Sequence, residues 1–464
     1  MSGTEPWQME GVEVAQLLRA KKLSAQEVVE SQIKRINMVN SKLNAIVEQC
    51  DDEALLQAQR LDNQPGNSIN AGITMTTKIN ADHRGFSNSN GVQIWADKMP
   101  EQTSPCINGM LESGMIMVGR TNSPAMAMRF HTDNALFGET LNPHGQHLTS
   151  GGSSGGAASA VAAGMCHVAQ GSDVGGSIRF PAYSNGVIGL RPTMGRMVTG
   201  GTNSNARGWT AANMATHGPI ARTMADIRAT YKTMLHPNWA DPFWVPAPDS
   251  FPHLDTPKKV ALVVADSVGI DPTVVDAIRH AGQLLENAGY EVTEQAPPRL
   301  DEWFTLWMSL SSPDLLLGLV PILPVINDEG LTTVFENWKR DFPAPTSEVF
   351  LQAHMLRDMI LREWNIFFEQ FPLVVLPAYS TTFMRRSQDT ESPVAMTEIS
   401  QQARYMLNLP ALGIPAMSFP LGSDNGAPLG IQIIAHAWRE DLILEAGEAI
   451  EQQVAKVSPI NPTW

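Results

Sequence analysis

Apolar residues recur at helical spacing over some stretches of this chain and gather into short runs over others, and the two patterns alternate. After Leu23, Ser24 and Glu27 form a capping box, and Val28, Val29, Ile33, Ile36 and Met38 follow as an apolar stripe, so an N-terminal helical segment is expected. A second helix is expected over 51–60, and the Asn, Gly, Pro and Ser content of 63–70 marks a loop. The β-branched run 71–80 reads as a strand, with Lys78 its one charged residue. A helix-like stretch from Pro105 leads through Gly114 into a short strand, 115–118, the order of an α/β layer fold. Alanine dominates 157–169 and predicts a closely packed helix. Residues 224–235 read as helix, and six prolines in 236–257 mark an extended connection. Then a strand at 259–266, a helix at 272–288 stopped by Gly289, and a strand at 290–294 make a β-α-β unit. Residues 300–370 read as mostly helical, with aromatic faces built from residues such as Trp303, Trp307, Trp338 and Trp364 that could cover a site. The end of the chain gives a buried strand at 371–377, a Pro-rich turn at 409–420, a strand at 429–435 and a last amphipathic helix over 439–454.

Composition narrows the function classes. A chain of 464 residues with a net charge of -15 is globular in composition, and its surface repels phosphate, which argues against a nucleic-acid partner. Cys50, Cys106 and Cys166 lack C-x-x-C spacing and cannot all pair, so reduced thiols in the cytoplasm are expected. The start, MSGTEPWQMEGVEV, lacks the basic and apolar pattern of a secretory signal and reads as uncleaved. The most apolar run, 315–326, contains Pro321 and Pro324 and is shorter than a bilayer span, so a buried helix and loop is expected there rather than a membrane-facing or acyl-channel patch.

The candidate chemistry lies between Thr149 and Arg179, where Ser153 and Ser177 each sit in a glycine-rich turn. Glycines let the backbone approach a substrate closely, so these turns can aim a hydroxyl and neighbouring N–H groups at one point, as acyl transfer needs. A phosphate loop would need Gly-Lys-Ser/Thr, which GGSSGG lacks. Gly151, Ser153 and Gly155 satisfy the G-x-S-x-G of a hydrolase elbow, with His436 as its histidine, but the polar HGQHLTS replaces the strand that should lead in. Asp173 and Arg179 flank Ser177 and read as a bracket that holds its turn. Met126, Met128 and Phe130 follow a strand and are candidates for a substrate pocket. His131, His144, His147 and His167 lack metal-ligand spacing and read as surface histidines, and no metal site is expected.

Lys78, GGSSGG at 151–156 and GSDVGGSIRFPA at 171–182, with 75 positions from Lys78 to Ser153 and 24 from Ser153 to Ser177, resemble the amidase signature family. The likeness continues through GLRPTMGR at 189–196 and GPIARTMADI at 218–227, and weakly into LNLPALGIPAMSFPLG and PLGIQII. The chain departs from the usual pattern at Ile79, which follows the lysine where Asp is common, at Arg120, where Lys is common, and at Ser123-Pro124-Ala125, where an acidic residue commonly follows the Asn. The resemblance implies one α/β domain over 1–464, with α/β/α layers around a mixed central sheet. Its parts are an N-terminal helical segment (about 1–62), a core (about 71–235), the connection at 236–257, and a second part (about 258–464) with a variable substrate-covering region. It implies hydrolysis of a carboxylic amide by a Ser–cis-Ser–Lys triad without metal or organic cofactor: Ser177 as nucleophile, Ser153 as bridge and Lys78 as base. An oxyanion hole of backbone N–H groups from Val174, Gly175, Gly176 and Ser177 is implied as well, with Ser154, Asp173 and Arg179 supporting the site. The expected partner is a small-molecule amide, with no membrane span; a homodimer is left open. An esterase or carbamate hydrolase, or one component of an amidotransferase, is left open as well.

Overall fold

Among the described residues eleven strands form one sheet: β1 (Ile46–Gln49), β2 (Thr74–Lys78), β3 (Ile116–Thr121), β4 (Val168–Asp173), β5 (Ile188–Arg191), β6 (Thr216–Ala221), β7 (Lys259–Leu262), β8 (Glu291–Glu294), β9 (Leu373–Pro377), β10 (Ala416–Asp424) and β11 (Ala427–Ala435). Their order is β1-β3-β2-β4-β6-β5-β10-β11-β9-β7-β8. The computed structural model describes residues 4–64, 68–200, 206–251 and 256–464; parts of the expected 63–70 loop and 236–257 connection lie outside them. β2 runs parallel to β3 and β4, and β7 runs parallel to β8 and β9, while β4, β6, β5, β10, β11 and β9 pair antiparallel in turn. The sheet is therefore mixed, as expected.

Side chains alternate across the pleat into separate cores. Ala261, Val374, Leu376 and Ile434 join the cluster under helices Leu306–Ser312, Glu329–Trp338, Ser347–Gln370 and Arg404–Leu412. Val260, Leu262, Val375 and Ile433 join the cluster under Pro105–Glu112, Met224–Met234, Pro272–Asn287 and Glu440–Glu451. A third cluster packs Ala25–Leu43 and Gly155–Ala162 against β1 and β3. Helices on both faces of one sheet give the α/β/α layers.

Three segments differ from the sequence reading. The alanine-rich helix stops at Ala162, Gly164 adopts a φ of 73°, and the chain turns into β4, because the pairing of β4 with both β2 and β6 outweighs helix propensity there. The expected turn at 409–420 is the end of helix Arg404–Leu412, capped by Gly413, followed by β10, which accommodates Pro420 where its register with β11 shifts. The run 315–326 is helical rather than helix and loop: it buries Leu315, Leu319, Leu323 and Ile326 but leaves Leu317 64% and Val325 61% exposed. Helix Leu300–Ile326, of which it is the end, is long and apolar enough to cross a bilayer by length and composition, yet here Trp303 and Trp307 anchor it in the core.

Candidate active site

β2 and β4 are parallel neighbours, so their C-terminal ends, Lys78 and Asp173, emerge on one edge of the sheet, where α/β folds place their ligands. Lys78 is fully buried and does not reach for solvent. Its Nζ lies 2.7 Å from Ser153 Oγ and 3.2 Å from Ser172 Oγ, and Asn80 Nδ2 donates to the same Ser172 hydroxyl at 3.2 Å. Burial lowers the lysine from 10.5 to about 7, against the opposing pull of Asp173. The backbone around it is held from two sides. Gln170 Oε1 accepts from the Lys78 N–H at 3.0 Å, and Arg120 Nη2 donates to the carbonyls of Lys78, Ala81 and Ser87. Arg120 thus gathers the loop after β2 with a planar donor, which the sequence pattern alone did not reveal.

Ser153 follows a cis peptide bond from Gly152. A Cβ on Gly152 would lie 2.1 Å from the carbonyl oxygen of Arg129, so only glycine fits between this turn and the loop after β3. The two glycine turns are tied directly: Ser154 N–H donates to the carbonyl of Ser177 at 3.1 Å, and Ser154 Oγ lies 3.4 Å from the Ser172 carbonyl. Lys78 and Ser153 are sealed inside, whereas Ser177 is half-buried and faces a cleft.

Asp173 organises the second turn. Its carboxylate accepts from the N–H groups of Gly176 (2.9 Å) and Ile178 (3.2 Å) and from Arg179 Nε (3.0 Å) and Nη2 (3.1 Å). Arg191 Nη1 donates to the Asp173 carbonyl at 2.8 Å. Burial works to raise this carboxyl, but Arg179 and Arg191 hold it down at about 2. Asp173 and Arg179 therefore form the bracket expected from their positions, with Arg191 as a third member. Gly176 adopts a φ of 104°, which bends the turn back over the carboxylate. Of the four N–H groups implied for an oxyanion hole, that of Gly176 donates to Asp173, while those of Val174, Gly175 and Ser177 meet no acceptor among the described residues.

A narrow cleft of ≈ 40 Å³ over Ser177 is walled by Ala127, Met128, Phe130, Val174, Gly175, Trp307, Trp338 and Leu407. Met128 and Phe130 line it as expected. Met126 does not; its sulfur accepts from Asn90 Nδ2 instead. Trp307 and Trp338 stack at 5.5 Å and 14°, a flat apolar wall whose partners lie too far apart in sequence for local patterns to join them. A larger open depression, of ≈ 560 Å³, lies beside Phe304, Arg340 and Arg404 and shares only Leu407 with the cleft. His131 and His167 are buried, not on the surface: His131 bonds Thr149 and Glu139, and His167 bonds Thr74 and the Pro6 carbonyl. Among the described residues no cluster of His, Cys, Asp or Glu could hold a metal. His436 packs on Phe368, and Ser153 Oγ has Lys78 rather than an imidazole beside it, which disfavours the hydrolase elbow.

A lysine, two serines and a turn with unpaired N–H groups, set at the strand ends of an α/β sheet, make an arrangement of the kind acyl-transferring enzymes use. A model of the amidase family matches residues 27–444, and the chain belongs to that family, the amidase signature enzymes. An indoleacetamide hydrolase from Bradyrhizobium diazoefficiens is 35% identical over 96% of this chain and 87% of its own length. A component of the glutamyl-tRNA(Gln) amidotransferase from a Cyanothece species is 30% identical over 95% of this chain and 97% of its own. The solved structure of a 6-aminohexanoate cyclic dimer hydrolase superposes with a TM-score of 0.82 at 23% identity, covering 99% of both chains, and shows the same fold. This chain is an amide-hydrolysing enzyme.

Proposed function

We propose that the chain hydrolyses the primary amide of an aryl- or indolylacetic acid to the acid and ammonia, with Ser177 as nucleophile, Ser153 as bridge and Lys78 as base. The observation that carries the mechanism is the 2.7 Å contact between a fully buried Lys78 and Ser153, in a turn tied to that of Ser177. A lysine near 7 is neutral in a large fraction at neutral pH, so its amine can accept a proton. Ser177 Oγ attacks the amide carbon while its proton passes to Ser153, whose own proton passes to Lys78. The oxyanion is received by the N–H groups of Val174, Gly175 and Ser177, each worth about 3 kcal/mol in such a site. Collapse expels ammonia, which takes its proton back through Ser153. Water then attacks the acyl-enzyme along the same relay, and the acid leaves.

The substrate class rests on the stacked Trp307 and Trp338 beside the nucleophile, which offer an aromatic acyl group a matching surface, and on the relative named for indoleacetamide. A panel of aliphatic, aryl and indolyl amides, esters and carbamates, assayed with the purified chain and read by ammonia, alcohol or amine release, tests both parts. Release of acid from aryl- or indolylacetamides at the highest kcat/KM is expected, with none from Ser177→Ala. Strict dependence on a second polypeptide would favour the amidotransferase reading, and preference for small aliphatic amides would overturn the aromatic assignment.

A further inference from the structure

We infer that Trp307 is a positioning residue for the reaction: its indole N–H fixes the Val174–Gly175 peptide, so the residue that walls the acyl cleft also sets the oxyanion donors. The inference rests on the amidase mechanism proposed above. Trp307 Nε1 donates to the carbonyl of Val174 at 2.9 Å, across 133 residues of sequence. The indole edge lies close enough to the turn that a Cβ on Gly175 would meet its Cε2 and Cζ2 at 3.4 Å. Trp307 is itself pinned: its backbone N–H donates to Asn408 Oδ1 at 2.9 Å, and Trp338 stacks on its ring.

In a trans peptide the carbonyl and the N–H of one plane point in opposite directions. Holding the Val174 oxygen on Trp307 therefore turns the Gly175 N–H away from the indole, and that N–H meets no acceptor among the described residues. The next N–H, of Gly176, is held by Asp173. Asp173 and Trp307 thus fix consecutive peptide planes of a turn whose two glycines would otherwise leave it pliant. Without the indole N–H the Val174–Gly175 plane can rotate, and the donor aimed at the oxyanion loses its preorganisation.

Trp307→Phe keeps an aromatic wall and removes the N–H; Trp307→His keeps a ring N–H on a smaller ring. Both are to be assayed at 20 °C on a small aliphatic amide and on an arylacetamide, alongside labelling by diisopropyl fluorophosphate. In that labelling a Ser177 Oγ–P bond forms, fluoride leaves, the hydroxyl proton departs through Ser153, and the phosphoryl oxygen uses the same donors. For Trp307→Phe, kcat on both amides and the labelling rate should fall about 10-fold, as expected for a lost hydrogen bond plus a loosened donor, while KM for the aliphatic amide stays within about 2-fold. Trp307→His should recover part of kcat but not the KM for the arylacetamide. A Trp307→Phe enzyme with wild-type kcat and labelling rate and a raised KM for the arylacetamide alone would overturn the inference and leave the amidase mechanism standing. A wild-type enzyme that is neither labelled at Ser177 nor active on any amide overturns the mechanism, and the inference with it.

Discussion

Replacing Lys78 by methionine should destroy activity and yet stabilise the protein at neutral pH. In the fold the lysine titrates near 7 instead of 10.5, because burial disfavours its charge. At about 1.4 kcal/mol per unit, holding it neutral in the folded state costs about 4 kcal/mol at pH 7. Methionine of similar length escapes that cost but forfeits the contacts to Ser153 and Ser172, about 1 kcal/mol each, so a net gain of about 2 kcal/mol is expected. At about 2.1 cal/mol/K of unfolding entropy per residue, that corresponds to a rise in Tm of roughly 2 °C for a chain of 464 residues. The sign follows from the direction of the shift. Above 10.5 the unfolded lysine is neutral as well, and no penalty remains; the penalty grows as pH falls from 10.5 to 7 and is constant below. The wild-type and Lys78→Met stability curves should therefore cross near pH 9, by this reckoning of about 2 kcal/mol on each side. Thermal melts of both proteins from pH 6 to pH 10.5, followed by circular dichroism, check this. A variant less stable than wild type throughout, or a gap that does not change with pH, would refute the picture of a lysine kept neutral by burial.

A fluorophosphonate should label Ser177, and Ser177→Ala should abolish the label, whereas Ser153→Ala should leave slow labelling with kcat/KM down by about 10³-fold or more; mass spectrometry placing the label on Ser153 would reverse these assignments. The pH profile of kcat/KM should rise through about 7 to a plateau as Lys78 loses its proton, and a maximum near pH 5 would contradict a lysine base. Gly152→Ala should cost more than about 3 kcal/mol in urea unfolding or expel Ser153 from its turn, because its Cβ would stand 2.1 Å from the Arg129 carbonyl; a fully active, stable variant would show that the turn can yield. Arg120→Met should lower both stability and kcat, since three carbonyls of the loop after Lys78 lose their donor, and unchanged kcat would show that this loop does not govern the lysine.

The chemistry was legible in the sequence where the residues needed lie within or beside one motif. Ser153 and Ser177 stand out by their glycine context, Lys78 joins them only through the family resemblance, and Asp173 and Arg179 flank Ser177 closely enough to be read as a pair. The sheet was legible where apolar runs end in turn residues, as at β7, β8, β9 and β11. β4 was not, because an alanine run continues almost to its start and its pairing with β2 and β6 is a long-range fact. Trp307 was visible only as one aromatic residue among many, since what distinguishes it is a contact with Val174 that no periodicity encodes. Arg120 was noticed for its identity, but its role depends on a loop that folds over its guanidinium.

The Arg179 guanidinium that clasps Asp173 also donates to Gln432 and to the carbonyl of Met406, 253 and 227 residues further along the chain. The turn that carries Ser177 is thus closed by segments far along the chain from it. A nascent or truncated chain holding every residue of the glycine turns but lacking β11 would have a serine without a finished turn around it. During refolding, tryptophan burial should reach its plateau before activity does, because contacts at such sequence separation form late.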